Sequence, residues 1–192
     1  MKITVVVLAA GAGSRFKGIK QLARINKQPM ILHSLNVFEQ AEIGELYVAI
    51  GAHAEKIRPL IPSHIRVVEV EQWQKGLSQS IKTAVKFLAS DCTHLFISLA
   101  DQVAVTVDDI KRLAQLAARS PNNIVAAQYA ATIGVPAIFP RQYFTELLSL
   151  DGDKGAGNLI QQYKHNAICV SLDHAAFDID TADDLTDWQE LE

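Results

Sequence analysis

Short aliphatic runs alternate along the chain with stretches whose apolar positions recur every three or four residues, a pattern that predicts strands and helices in turn. "ITVVVLA" (3–9) is a continuous run rich in β-branched residues, as in a strand covered on both faces. "PMILHSLNVFEQA" (29–41) opens on Pro29, suited to a first helical position, and carries Ile31, Leu32, Leu35 and Phe38 at helical spacing. "ELYVAIG" (45–51) predicts a strand, "AEKIRPLI" (54–61) a short helix limited by Pro59, and "IRVVEV" (65–70) another strand. A helix follows in "LSQSIKTAVKFLA" (77–89), then a buried strand in "HLFISLA" (94–100). "VDDIKRLAQLAAR" (107–119) predicts a helix entered through Thr106 and Asp109 at capping-box spacing. After Pro121 come "IVAAQYA" (124–130), "VPAIFP" (135–140), helices near 141–150 and 156–164, the strand "AICVSL" (167–172) and a last helix from about 182.

The alternation predicts an α/β fold: a Rossmann-like three-layer α/β/α sandwich with a mostly parallel sheet and right-handed crossovers. Ligands of such sheets bind beyond the carboxyl ends of the strands, which directs attention to the loops after 3–9, 65–70 and 94–100.

Composition narrows the classes. A chain of 192 residues suits one domain, and 49% hydrophobic residues with 20% charged predict a well-buried core. A formal net charge of −3, with no basic block beyond the opening loop, gives no broad field to attract nucleic acid or anionic lipid. Any anion bound is expected to be small. Cys92 and Cys169 lack the paired spacing of metal or redox sites and read as packing residues. The start "MKITVVVLAAGAG" resembles a secretory signal superficially, but its apolar stretch reads better as a buried strand. No apolar run approaches the ~20 residues of a membrane span. A cytoplasmic protein is expected.

"LAAGAGSRFKGIKQ" (8–21) then carries the candidate chemistry: glycines and bare backbone beside Arg15 and Lys20. A dinucleotide fingerprint fails because Phe16 stands where its third glycine belongs, and "AIGAH" ends the second strand without an acid for a ribose. A P-loop fails because Ile19 takes the lysine position. A simple glycine turn leaves Arg15 and Lys20 unexplained. Asp101 is the first charge after the strand 94–100, placed where a carboxylate holds Mg²⁺ against phosphate oxygens, since Thr106 already offers the next helix its cap. Asp178 and Asp180 share a side if their segment is extended. Asp180 is the preferred second metal ligand and Asp178 the alternative. Thr181 and Asp184 have capping-box spacing, a structural role. Ser78 suits an N-cap. Asp151 and Asp153 fall short of a calcium loop because Gly157 comes late and Gln162 replaces the closing glutamate. Histidines 33, 53, 64, 94, 165 and 174 form no metal-binding pair, which disfavours a zinc hydrolase.

"LAAGAGSRFKGIKQL" resembles the signature of the MobA-like nucleotidyltransferases, with Arg15 and Lys20 correctly separated and Lys17 standing where a glycine is usual. "GLSQSIKTAV" (76–85), "SLADQ" (98–102), "GVPAIF" (134–139), "GDKGAG" (152–157) and "DIDTADDL" (178–185) resemble blocks of the subgroup that includes molybdenum cofactor cytidylyltransferase. Val103 and Val135 depart from the usual proline and histidine. The resemblance implies a single nucleotidyltransferase domain over 1–192, of the nucleotide-diphospho-sugar transferase type. It implies that Leu8, Ala9, Ala10, Gly11, Gly13, Ser14, Arg15 and Lys20 wrap a nucleoside triphosphate, with Gly76 and Ser80 at the base. Arg15, Lys20 and Asp101 are then catalytic, and Asp101 and Asp180 hold Mg²⁺. Gly134, Pro136, Asp153 and Lys154 become acceptor-side candidates, the last two equally well explained by a turn.

The implied reaction transfers CMP from CTP to a phosphorylated pterin, molybdopterin or its molybdenum-loaded form, and releases pyrophosphate; a molybdenum-hydroxylase apoenzyme is the implied partner. A phosphate acceptor is already anionic, so the absence of an obvious general base fits. Alternatives are a guanylyltransferase using GTP, a sugar-phosphate nucleotidyltransferase, and a non-catalytic factor that binds the finished cofactor. An NAD-dependent oxidoreductase is disfavoured by the missing glycine.

Overall fold

In the computed structural model, which describes residues 1–88, 90, 92–129 and 132–191, the opening aliphatic run is strand β1 (Ile3–Ala9), buried at every position. The elements then run β2 (Arg24–Ile25), β3 (Gln28–Pro29), α1 (Met30–Ala41), β4 (Glu45–Ile50), α2 (Ala54–Ile57), β5 (Arg66–Glu69) and α3 (Leu77–Leu88). After these come β6 (His94–Leu99), α4 (Val107–Arg119), β7 (Val125–Tyr129), β8 (Thr132–Pro140), α5 (Phe144–Ser149), α6 (Ala156–Gln162), β9 (Ile168–Ser171) and α7 (Ala182–Leu191). The predicted end points Ala89 and Ala130 lie outside the described residues.

The main sheet has seven strands in the order β5-β4-β1-β6-β8-β7-β9. Every neighbouring pair is parallel except those made by β8, which runs antiparallel to β6 and β7. Too few residues separate β7 from β8 for a crossover, so the two must pair as antiparallel neighbours. Side chains alternate across the sheet as strand geometry requires. On one face Val6, Leu8, Leu95 and Ile97 pack with Ile81 and Val85 of α3, Leu147 of α5 and Ile160 of α6. On the other, Val5, Val7, Val48 and Phe96 pack with Leu35 and Phe38 of α1 and Ile110 and Leu113 of α4. The three-layer sandwich is therefore present, with β1 an inner strand beside the central β6.

The order of the strands creates the site. From β1 the chain steps outward to β4 and β5, then returns through α3 to lay β6 on the other flank of β1. The loop after β1 thus opens at a switch point of the sheet, where strand ends leave a crevice. A third apolar cluster, Ile25, Met30, Val103 and Ile179 with Phe16 and Trp188 against it, pins the opening loop to the C-terminal segment.

Local differences from the sequence reading have simple causes. Pro29 is the residue before α1, with φ −56° and ψ 139°, not its first helical residue. Residues 141–143 form a tighter 3₁₀ turn before α5. Strand β8 begins at Thr132, ahead of the predicted 135, because Ile133 and Thr132 continue the pairing with Gln128 and Tyr129. Ser78 is not an N-cap: it lies inside the first turn of α3, buried, and its N–H donates to the Gly152 carbonyl at 3.1 Å. Both capping boxes do form: Asp109 N–H donates to Thr106 Oγ1, and Thr181 N–H to Asp184 Oδ2. Four histidines have structural partners: His33 meets the Val103 carbonyl, His94 the Pro121 carbonyl, His64 pairs with Glu39, and His174 with Asp109. None of the helices among the described residues is long and apolar enough to cross a membrane.

Candidate active site

A cleft of about 450 Å³ opens at the carboxyl ends of β1 and β6, within the range of small-ligand pockets. One wall is the loop that follows β1. Its floor is held by Gln21, buried to 4% exposure, which donates from Nε2 to the carbonyls of Ala9 at 2.9 Å and Gly11 at 2.8 Å. The Ala52 N–H takes the intervening Ala10 carbonyl at 2.9 Å. The opposite wall comes from Trp73, Gln74 and Gly76, between β5 and α3, and from Leu77 and Ser80 of α3. Gly76 is required there: its φ is +92°, and a Cβ would fall 2.4 Å from Asp153 Oδ1 and 2.6 Å from the Gly152 carbonyl. The 151–155 turn is thereby locked against the start of α3.

Four charged side chains meet at the end of the cleft. Lys20 Nζ donates to Asp101 Oδ2 at 2.5 Å and to Asp180 Oδ1 at 2.7 Å, while Arg15 donates to Asp180 Oδ2 at 2.6 Å. Backbone geometry delivers the acids: Asp101 follows β6 directly, and the Ile179 N–H donates to the Asp101 carbonyl at 3.1 Å, aligning the 178–180 segment beside it. Burial disfavours the Lys20 ammonium, but the charge and hydrogen bond of Asp101, and then those of Asp180, outweigh it and raise its pKa above the ordinary lysine value. Asp178 stands at the rim, exposed. The protein around it, then the charges of Asp101 and Asp180, push its carboxyl up to about 7 against the pull of Lys20. Asp184 is held below the usual carboxylate range by hydrogen bonds from the backbone of Asp180 and Thr181.

The donor set suits a hard divalent cation. Asp101 Oδ1 is buried with no hydrogen-bond partner, and every nearby anionic ligand atom is a carboxylate oxygen. Among the described residues no group of three or more His, Cys, Asp or Glu forms a ready metal cage. A hard divalent cation held through one or two carboxylates needs no such cage, and Asp101 and Asp180 supply two.

The structure brings together most of the residues singled out from the sequence. Leu8, Ala9, Ala10, Gly11, Gly13, Ser14, Arg15 and Lys20 line the cleft, as do Gly76, Ser80, Asp101, Asp153 and Asp180. Gly134, Pro136 and Lys154 do not line it. Gly134 lies in β8, where a Cβ would come within 2.8 Å of the Tyr129 hydroxyl, and Pro136 follows it after a cis peptide bond. The Lys154 N–H closes a turn to the Asp151 carbonyl at 3.2 Å. The sequence reading missed Trp73, Gln74 and Gln21. A tryptophan in the polar stretch "EQWQKG" was the available signal for the first; nothing local marked Gln21.

Comparison with known proteins shows the family. A model of the MobA-like NTP transferase domain matches residues 5–167. Among solved structures, Rv0371c from Mycobacterium tuberculosis H37Rv is 30% identical with a TM-score of 0.88, over 99% of this chain and 98% of that one. A complex of Rv0371c with manganese superposes with a TM-score of 0.83 at 28% identity, over 99% of each chain. Among curated proteins, the bifunctional protein GlmU of Bartonella quintana is 28% identical over 130 residues, 66% of this chain but only 29% of GlmU. The chain therefore matches under a third of that relative's length. By the domain match and the full-length structural similarity, the chain belongs to the MobA-like NTP transferase family.

Proposed function

We propose that this protein is a divalent-cation-dependent nucleotidyltransferase that moves CMP from CTP to a phosphorylated pterin, molybdopterin or its molybdenum-loaded form, and releases pyrophosphate. The observation that carries the reading is the cluster of Lys20, Arg15, Asp101 and Asp180 at the end of the glycine-loop cleft. Two cations beside two carboxylates are what a triphosphate and its counter-ion require. Arg15 presents a planar fork to phosphate oxygens from the open rim, whereas Lys20 supplies a point charge from a buried site. Lys20 is the better placed of the two to offset charge developing at the α-phosphorus.

Asp101 and Asp180 would hold the cation, and the manganese complex of the Mycobacterium relative supports a divalent ion in this family; Mg²⁺ is the ion proposed here. When bound, it would neutralise phosphate charge and ease departure of pyrophosphate. The acceptor phosphate needs no base, so the chain's task is to orient it in line with the α-phosphorus. Gly76 and Ser80 face the base from the α3 wall. Asp153, which lines the cleft, contributes to the acceptor side; Lys154 acts there only through the turn it closes, and Gly134 and Pro136 only through strand β8. A molybdenum-hydroxylase apoenzyme is the proposed recipient of the product.

The test presents each of the four nucleoside triphosphates with Mg²⁺ and a panel of phosphorylated acceptors, including molybdopterin and sugar phosphates, and measures pyrophosphate. Release with CTP and the pterin alone supports the full assignment. Release with GTP or a sugar phosphate moves it to another member of the same reaction class, and no release with any pair removes it.

A further inference from the structure

Gln21 is absent from the chemistry above, yet it is buried and doubly hydrogen-bonded in the wall of the cleft. Its amide group has two donor hydrogens, and both are spent on backbone carbonyls of the opening loop, Ala9 and Gly11. Only the NH₂ end can face two carbonyls, so the network fixes which way the amide points. The consequence is that Oε1 lies buried with no partner. A leucine would remove the orphaned Oε1 but would leave the Ala9 and Gly11 carbonyls without these donors, so the loop backbone rather than packing accounts for a glutamine here.

The effect on the loop follows from peptide geometry. A trans peptide is planar, with its C=O and N–H on opposite edges. When Gln21 draws the Ala9 and Gly11 oxygens toward the protein interior, the N–H groups of Ala10 and Ala12 turn to the opposite edge. The Ala52 N–H holds the Ala10 oxygen, so the Gly11 N–H points away from Ala52. Gly11 is exposed and Ala12 half-buried, and both line the cleft together with Gln21. Successive outward N–H groups form a concavity with affinity for anions, whereas outward carbonyls would repel phosphate.

We propose that Gln21 is a positioning residue that sets the polarity of the nucleotide loop, turning the 9–12 peptides so that amides meet the triphosphate. This rests on the reading of the cleft as a triphosphate site. Removing the two donors leaves the Ala9 and Gly11 carbonyls free to rotate into the cleft; replacing the amide with a carboxylate of the same shape drives them there.

Two variants and one wild-type measurement test this. Triphosphate affinity is measured by calorimetry with Mg²⁺ and no acceptor, and KM and kcat are measured for each substrate. Gln21→Leu is expected to lose about tenfold in triphosphate affinity and to raise the triphosphate KM by the same factor, with the acceptor KM unchanged. Gln21→Glu, which preserves shape and loses the donors, is expected to be worse than Gln21→Leu. Affinities within twofold of wild type in both variants, or a Gln21→Glu protein as good as wild type, would overturn the proposal. Because a variant can fail to fold, amide resonances of Ala10, Gly11 and Ala12 in the wild-type protein are followed during titration with triphosphate. Large shifts at these amides are expected, and their absence while the nucleotide binds would also overturn it. A wild-type protein that binds no triphosphate would instead sink the functional reading on which the proposal rests.

Discussion

Replacing Lys20 with methionine tests the charge balance of the cleft while keeping an unbranched side chain only one atom shorter. Lys20 is 11% exposed at its side chain and lies 2.5 Å from Asp101 and 2.7 Å from Asp180. Removing one member of a buried ion pair strands its partner and costs about 3–5 kcal/mol. Asp180, at 35% exposure, is still reached by solvent, which places this case near the lower bound, about 3 kcal/mol. For a domain of this size, roughly 2–4 °C of melting temperature accompanies each kcal/mol, so Lys20→Met should melt roughly 6–12 °C lower. The sign with pH is also defined. The Lys20 pKa is raised by folding, so its contribution is fully present below the ordinary lysine value and is lost only as pH rises through the higher folded value. Neutral pH therefore reads the whole effect. A divalent cation can replace the missing positive charge between the carboxylates. Scanning calorimetry with and without Mg²⁺ should show the variant stabilised more than the wild type, whose own ammonium competes for the same oxygens. An unchanged melting temperature, or a wild type that gains more from Mg²⁺ than the variant, would refute the reasoning.

Other outcomes follow from the same geometry. Arg15 is 72% exposed, so its pairing with Asp180 adds at most ~0.5 kcal/mol; Arg15→Ala should leave the melting temperature nearly unchanged while raising the triphosphate KM severalfold in steady-state assays. Gly76→Ala forces a side chain into a left-handed position against Gly152 and Asp153, and should cost roughly 1–3 kcal/mol in denaturant unfolding and weaken nucleotide binding. Asp178, whose pKa rises on folding to about 7, favours the metal-free native state only while protonated. That contribution is full below the ordinary Asp range and is lost as pH rises toward 7, so Asp178→Asn should be more stable than wild type in alkaline melts without metal, the difference vanishing in acid.

The parts of the fold legible in the sequence are those where one face of an element decides its composition. The runs at β1 and β6 are buried on both faces and read as largely apolar stretches; α1 and α4 bury one stripe and show helical spacing. Apolar alternation carries no sign of the reversed direction of β8; its signal in the sequence was the short connection from β7, too short for a crossover. At the site, Arg15, Lys20 and Asp101 stood out as charges beside apolar strands and glycines. Asp180 required knowledge of a long-range pairing, the Ile179 to Asp101 bond, that the sequence only suggested through its extended segment. Gln21 was hidden because its role is exercised on backbone atoms, which leave no pattern in side-chain spacing.

The central claim is that the cleft joins a nucleotide loop at β1 to acids from β6 and the C-terminal segment in order to transfer a nucleotidyl group. Incubation of the protein with α-labelled CTP, Mg²⁺ and molybdopterin tests it most directly. Label should appear on the pterin product with one pyrophosphate released per transfer, and should fail to do so in Asp101→Asn. Label that stays in the triphosphate with this and every other phosphorylated acceptor, or that moves as readily in Asp101→Asn, would contradict the account.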